Sequence, residues 1–234
     1  MNIGRALAGI TDDNDWLIKL ALAALVTAFA ILTTPILIGL AGWAILLGYQ
    51  TQVVRRVRQN ERLPLPAWGD WMGLMRLGWP VLLAYVLYLL PNLLVAGCSL
   101  VLIISTANTS FTATGVLVGL LCCLVPLLLL YNALIAPMFA LGLGRYAAEP
   151  VIGVFFDFSR LWGELSTSWG LTATYVLVMF AFSFVQGILG AVPIIGWALA
   201  LAVLVPVNGL LGGQYALAAQ GPIAAKKGKS RSQP

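Results

Sequence analysis

Three long stretches of the chain carry no charged residue: residues 20–54, 77–144 and 165–225, which are 35, 68 and 61 residues long. A helix that crosses a bilayer needs about 20 apolar residues, so the second and third stretches each accommodate two crossings and a short connection. As one straight helix the first stretch would be roughly 50 Å long at about 1.5 Å per residue, well beyond a hydrocarbon core of about 30 Å. Two short crossings that turn at Thr33, Thr34 and Pro35 suit it better. Only 9% of the residues are charged and 61% are apolar, whereas soluble domains are about 25% charged and about 45–50% apolar. The expected fold is therefore all-α, a polytopic transmembrane helix bundle of about six spans at residues 16–33, 36–54, 77–104, 115–144, 168–192 and 196–219. The alternative is five spans, with a long kinked first helix and the N-terminus outside. Residues 1–222 are expected to form a single transmembrane helical domain, followed at 223–234 by a basic disordered tail.

With six spans, every Lys, Arg, Asp and Glu falls on the side of the two termini, and the opposite connections are uncharged. The regions 55–76 and 226–231 carry net charges of +3 and +4. Basic loops mark the cytoplasmic side, which places both termini and all charged segments there and the chain in the cell membrane as a multi-pass protein. The start does not read as a removable signal peptide, because Asp12, Asp13 and Asp15 stand where a basic region belongs. An echo links Pro35-Ile36-Leu37-Ile38-Gly39 with Pro193-Ile194-Ile195-Gly196-Trp197, and Gly48-Tyr49-Gln50 with Gly213-Gln214-Tyr215, which suggests an internal repeat.

Two charged segments alternate apolar and polar residues at helical spacing. In the first, Pro64 and Pro66 end the preceding helix and Pro66 can open another, on which Trp68, Trp71, Met72, Met75 and Trp79 form a stripe. In the second, Phe155, Phe158, Trp162 and Leu165 do the same, with Asp157, Arg160 and Glu164 spaced for ion pairs along the helix surface. Both are predicted to be interfacial amphipathic helices on the cytoplasmic side. The predicted contact surface for lipid or a partner comprises Arg55, Arg56, Arg58, Arg62, Trp68, Asp70, Trp71, Trp79, Arg160 and Trp162. Its partners would be membrane lipids with anionic headgroups on the cytoplasmic face, or another membrane protein, and not nucleic acid.

Gly48-Tyr49, Arg55-Arg56 and Leu65-Pro66-Ala67-Trp68-Gly69-Asp70-Trp71 together resemble the signature of an uncharacterised prokaryotic polytopic membrane-protein family, domain of unknown function 4013. The helix pattern is similar along nearly the whole chain. More distantly, the order of helix, basic loop and interfacial helix is similar to that of the membrane domain of glycerophosphodiester phosphodiesterases. The resemblance implies a fold and a membrane location, and no established activity.

The chain contains no histidine, the commonest general base and metal ligand. No acid lies within an expected span, where ion-coupled transporters usually keep one. Cys98, Cys122 and Cys123 sit in apolar runs without metal-ligand spacing and read as small hydrophobes. No catalytic set, cofactor or metal site is expected. Asn108-Thr109-Ser110 fits a glycosylation acceptor, relevant only to a secretory-pathway protein. The spans contain Asn92, Asn132, Gln186 and Asn208, three of them close to a proline. These amides serve helix packing or line a narrow polar path, with Tyr131 and Tyr175, for a neutral or amphiphilic solute. Gly115 with Gly119, and Gly209 with Gly213, have the spacing of close helix contacts and are expected to pack the bundle. The preferred role is a non-enzymatic protein that organises lipids or a partner. A transporter, channel or flippase is the alternative, and a lipid-headgroup enzyme with Asp70 as base comes third.

Overall fold

The computed structural model describes residues 4, 13–63, 65–106, 110–192 and 195–223. Within them the chain is all helical. Helix α1 (Trp16–Thr33) is reversed by a 3-10 turn (Thr34–Ile36) into α2 (Gly39–Arg58). Three local features stop α1. Thr33 and Thr34 turn their hydroxyls back onto the Phe29 and Ala30 carbonyls, Pro35 follows, and Leu37 takes a left-handed φ of 66°. The return is tight because Gly39 has no side chain: a Cβ there would lie 2.3 Å from the Ala30 carbonyl oxygen. The turn expected at residues 33–35 is thus where the chain reverses.

Helix α2 is the axis of the bundle. It is enclosed by α1, by α3 (Trp71–Thr106), by α4 (Ser110–Ala148) and by α7 (Ile195–Gln220), and Ala44, Leu46, Tyr49, Val53 and Val54 are fully buried. Among the described residues five helical segments have the length and apolarity to cross a membrane: Trp16–Ile36, Trp71–Leu102, Cys122–Ala148, Trp169–Gly190 and Gly196–Gln220. Helix α2 is outside that set. It carries Gln50, Thr51, Gln52 and the arginines of its last turn, and because its neighbours shield it, it need not be apolar all round. The five-span alternative matches the apolar segments, and the six-span reading matches the number of long helices.

Helices α3 and α4 are longer than expected, 36 and 39 residues, or about 54 and 58 Å at about 1.5 Å per residue. The separate interfacial helix expected to open at Pro66 does not form. Residues 65–70 are extended or bent, and Trp71 to Trp79 are the first turns of α3, which runs through Pro80 and Pro91 without a break. A proline inside a helix costs a backbone donor and loosens the preceding turn. In both places a tyrosine of α4 bonds nearby: Tyr146 donates to the Leu77 carbonyl at 3.0 Å and Tyr131 to the Tyr88 carbonyl at 2.8 Å, each one residue past the carbonyl, Arg76 or Leu87, that the proline leaves without its helical donor.

The second amphipathic segment does form a helix, α5 (Phe158–Thr167), preceded by a 3-10 turn at Ile152–Phe155 and followed by α6 (Trp169–Gly190). Its faces differ from the expected stripe. Leu161 and Leu165 are buried against the bundle, Phe158 and Trp162 point outward, and Phe155 lies before the helix, fully buried beside Phe139 and Tyr146. Helix α6 packs on α7, where Tyr175 stacks on Tyr215 at 4.5 Å and Thr172 shares a 2.7 Å hydrogen bond with the Tyr215 hydroxyl. Gly209 and Gly213 pack α7 on α2 as expected, against Val53, Val54 and Val57, whereas among the described residues no other group lies within 4 Å of a Cβ placed on Gly115 or Gly119. The latter pair therefore does not pack the bundle. Pro193 and Ile194 of the suspected repeat, Asn108 and Thr109 of the glycosylation acceptor, and residues 224–234 of the basic tail lie outside the described residues. The chain is a polytopic, all-helical integral membrane protein.

Candidate functional site at the charged end

The described charges collect at one end of the bundle. The start of α1, the ends of α2, α4 and α7, the start of α3 and the whole of α5 meet there, as the contacts between them show. Lys19 pairs with Asp13 at 2.5 Å and donates to the Leu65 carbonyl at 3.2 Å. Beyond the end of α2, Trp68 stacks on Tyr49 at 4.1 Å and its indole N–H donates to the Lys19 carbonyl at 3.1 Å. Trp71 leans on Trp68 at 5.4 Å. Gly48 lets α3 approach, since a Cβ there would lie 1.9 Å from the Leu74 carbonyl oxygen. Most of the residues that carry the family resemblance, Gly48-Tyr49, Arg56, Leu65, Trp68 and Trp71, thus meet at one junction that locks α1, α2 and α3 together.

Three of the four arginines expected to hold lipid or partner are turned inward. Arg55 donates through Nε to the Ala147 carbonyl at 2.7 Å, and Arg58, almost wholly buried, donates to the Gly144 carbonyl at 2.6 Å and to the Gly221 carbonyl at 2.9 Å. These acceptors lie at the C-terminal ends of α4 and α7, where carbonyls lack helical partners and the helix dipole favours a cation. Burial pulls the Arg58 guanidinium below its ordinary pKa, an effect the Glu164 carboxylate opposes and Arg145 adds to. Arg56 donates to the Leu65 carbonyl at 3.1 Å and faces Glu61 at 3.6 Å. Arg62 is exposed, as is Arg76, and neither has an ion-pair partner among the described residues.

Between α4, α5 and the end of α7 lies a cleft of about 620 Å³ lined by Arg58, Arg145, Glu149, Asp157, Arg160, Glu164 and Gln220. The ion pairs expected within α5 are replaced by longer-range ones. Arg145 reaches from α4 to grip Glu164 through Nε and Nη2, and its Nη1 lies 3.9 Å from Asp157. Gln220 donates to the other Glu164 oxygen at 2.8 Å and to the Leu141 carbonyl at 2.9 Å. Two acceptors on one side fix the orientation of that amide. Asp157 caps α5 by accepting the Arg160 backbone N–H at 3.2 Å, and Asp70 caps α3 by accepting the Gly73 N–H at 2.8 Å. Asp157 lines the cleft and Asp70 does not, so they do not share one site. The Arg160 guanidinium and the Glu149 carboxylate, both exposed, have no ion-pair partner among the described residues. No group of three or more His, Cys, Asp or Glu among the described residues is placed to hold a metal ion.

The intramembrane amides do not line one path. Asn92 and Asn132 exchange hydrogen bonds at 3.0 and 3.1 Å, joining α3 to α4, and Asn132 also donates to the Leu128 carbonyl. Gln186 donates from α6 to the Ala200 carbonyl of α7 at 3.2 Å. Asn208 stands apart on α7 with its side-chain oxygen buried and without a donor among the described residues. Trp71, Trp79, Trp162 and Trp169 are exposed around the charged end. The cleft itself went unforeseen, because Arg145, Glu149 and Gln220 come from loops and helix ends whose meeting no local spacing reveals. The only available sign was Arg145 standing alone at the end of a 68-residue uncharged stretch.

A family described as "Protein of unknown function (DUF4013)" matches residues 28–201, well over half of the chain. No curated protein and no solved structure matches it.

Proposed function

We propose the following role for this chain, which belongs to the DUF4013 family of proteins of unknown function: it is a non-enzymatic membrane protein that gathers lipid around its charged end. That end faces the cytoplasm, with both termini on the same side, in keeping with the excess of Arg and Lys there. The observation that carries the reading is the outward rim of the charged end. There Arg62, Arg76 and Arg160 are exposed and unpaired among the described residues, at the same end of the bundle as the exposed rings of Trp71, Trp79 and Trp162. Aromatic rings and arginines in this arrangement anchor to the headgroup zone and attract anionic lipid, at about 1 kcal/mol per basic residue near the surface. The mutual pairing of Asn92 with Asn132 supports the lipid role over a transport path, and the capping bond of Asp70 supports it over a catalytic base.

The test is the lipid shell of the protein reconstituted in mixed bilayers, measured with spin-labelled phosphatidylglycerol and phosphatidylcholine. Phosphatidylglycerol should be enriched several-fold at low salt, less at high salt, and much less in the R62Q/R76Q variant. Equal shells for the two lipids, or an enrichment indifferent to those substitutions, overturns the role.

A further inference from the structure

We propose that the cleft between α4, α5 and α7 binds a zwitterionic amino-phosphate headgroup, its phosphate on Arg160 and its primary ammonium on Glu149. The proposal rests on the lipid-binding reading and adds a chemical class of ligand that the rim does not select. Most charges of the cleft are already committed within the protein. Arg58 caps two carbonyls, Arg145 is held by Glu164, and Asp157 caps α5 while facing Arg145. Arg160 and Glu149 remain, opposite in sign, exposed, lining the same cavity, and not paired with each other or with another described residue.

The whole lining holds three guanidinium groups and three carboxylates, so it has no net charge. A purely anionic ligand would gain Arg160 and meet the repulsion of Glu149, and a purely cationic one would meet the reverse. A ligand bearing both charges avoids both penalties and makes a charge-assisted hydrogen bond at each end. The volume of about 620 Å³ lies in the range of small-ligand sites. The outward Phe158 and Trp162 of α5 set the cleft at headgroup depth. A primary ammonium offers Glu149 hydrogen-bond donors that a quaternary one lacks. Phosphatidylethanolamine and free phosphoethanolamine share this chemistry, and direct comparison separates them.

The experiment uses the full chain in phosphatidylcholine nanodiscs, with native mass spectrometry reading binding of dihexanoyl phosphatidylethanolamine, phosphatidylcholine and phosphatidylglycerol, and of free phosphoethanolamine. We expect the ethanolamine lipid to bind about tenfold tighter than the other two lipids, roughly one charge-assisted hydrogen bond. E149Q should bring it down to the phosphatidylglycerol level without weakening phosphatidylglycerol, and R160Q should weaken both. Both side chains are exposed, so the variants should fold, which unchanged melting temperatures would verify. Free phosphoethanolamine binding as tightly as the lipid supports the assignment with a soluble ligand, and tenfold weaker binding supports it with a lipid. Equal affinity for the three lipids, or an E149Q protein that keeps the ethanolamine preference, overturns the proposal. The rim substitutions R62Q and R76Q leave the cleft intact, so failure of the anionic shell and failure of this selectivity are distinguishable.

Discussion

Asp70 and Asp157 are the two acids that a search for chemistry would nominate, and each is used to start a helix. The Asp70 carboxylate accepts the Gly73 N–H at the head of α3, which has to begin at once after the bent segment 65–70. Loss of such a cap costs about 1 kcal/mol, and asparagine replaces aspartate almost without cost. We therefore expect D70A to lower stability in detergent by about 1 kcal/mol and D70N to restore it, whereas a catalytic base would tolerate neither change in an activity assay. Asp13 behaves differently. Its hydrogen bond from the Lys19 ammonium holds its carboxyl below the ordinary pKa of 3.8, against the opposing effect of burial. A depressed carboxylate contributes stability that is present above the unfolded pKa and lost as pH falls through the folded one. D13N should thus melt below the wild type at pH 7, and the gap should close as acid takes the pH below 3.8. A gap of constant size from pH 7 to pH 3 would show that Asp13 is not linked to folding in this way.

At the scale of elements, α2 and α3 meet backbone to backbone. A Cβ on Gly48 would lie 1.9 Å from the Leu74 oxygen, and one on Gly78 would lie 1.8 Å from the Ala44 oxygen, so each helix presses backbone onto backbone. Neither backbone can yield as a flexible side chain would. G48A and G78A should each cost at least about 1–3 kcal/mol, the usual penalty of overpacking. G115A and G119A, whose added methyls meet no group of the described residues within 4 Å, should be neutral or slightly stabilising through helix propensity. Comparison of melting temperatures in the same detergent checks all four. The reversal between α1 and α2 was legible because its causes are local: Thr33, Thr34 and Pro35 each disfavour helix where they stand. The fusion of residues 71–76 with the span expected from residue 77 was not. That single helix is tied to α4 by Tyr146 at the Leu77 carbonyl and Tyr131 at the Tyr88 carbonyl, and the sequence of α3 alone contains no trace of those bonds. The inward use of Arg55 and Arg58 was hidden for the same reason, since their acceptors lie 92 and 86 residues away at Ala147 and Gly144.

At the scale of the whole molecule, the number of crossings and the position of the ends are one question. If α2 crosses the bilayer, α1 and α2 form a hairpin, and the start of α1 lies on the same side as the end of α2. The contacts require the same thing: Lys19 reaches the Leu65 carbonyl and the Trp68 indole reaches the Lys19 carbonyl. If α2 did not cross, the first and last helices would present their charged ends to opposite sides of the membrane, and the hydrogen bond from Lys19 to the Leu65 carbonyl would have to break. Charged groups placed on both faces would also lose the partition that long uncharged stretches impose, because each loop would then have to be insulated separately. Cysteine labelling decides between these arrangements. In a C98S/C122S/C123S background, which removes the three exposed native thiols, an impermeant maleimide should label S105C and V192C in intact cells. R62C and G163C, both at the charged end, should react only after the membrane is opened in either arrangement, whereas N14C, at the exposed start of α1, should share their protection if α2 crosses and should label in intact cells if it does not. Labelling of Arg62 and Gly163 positions on opposite sides would break the charged end in two and dissolve the cleft with it, because Arg58 and Glu164 line that cavity together only when α2 and α5 finish on one face.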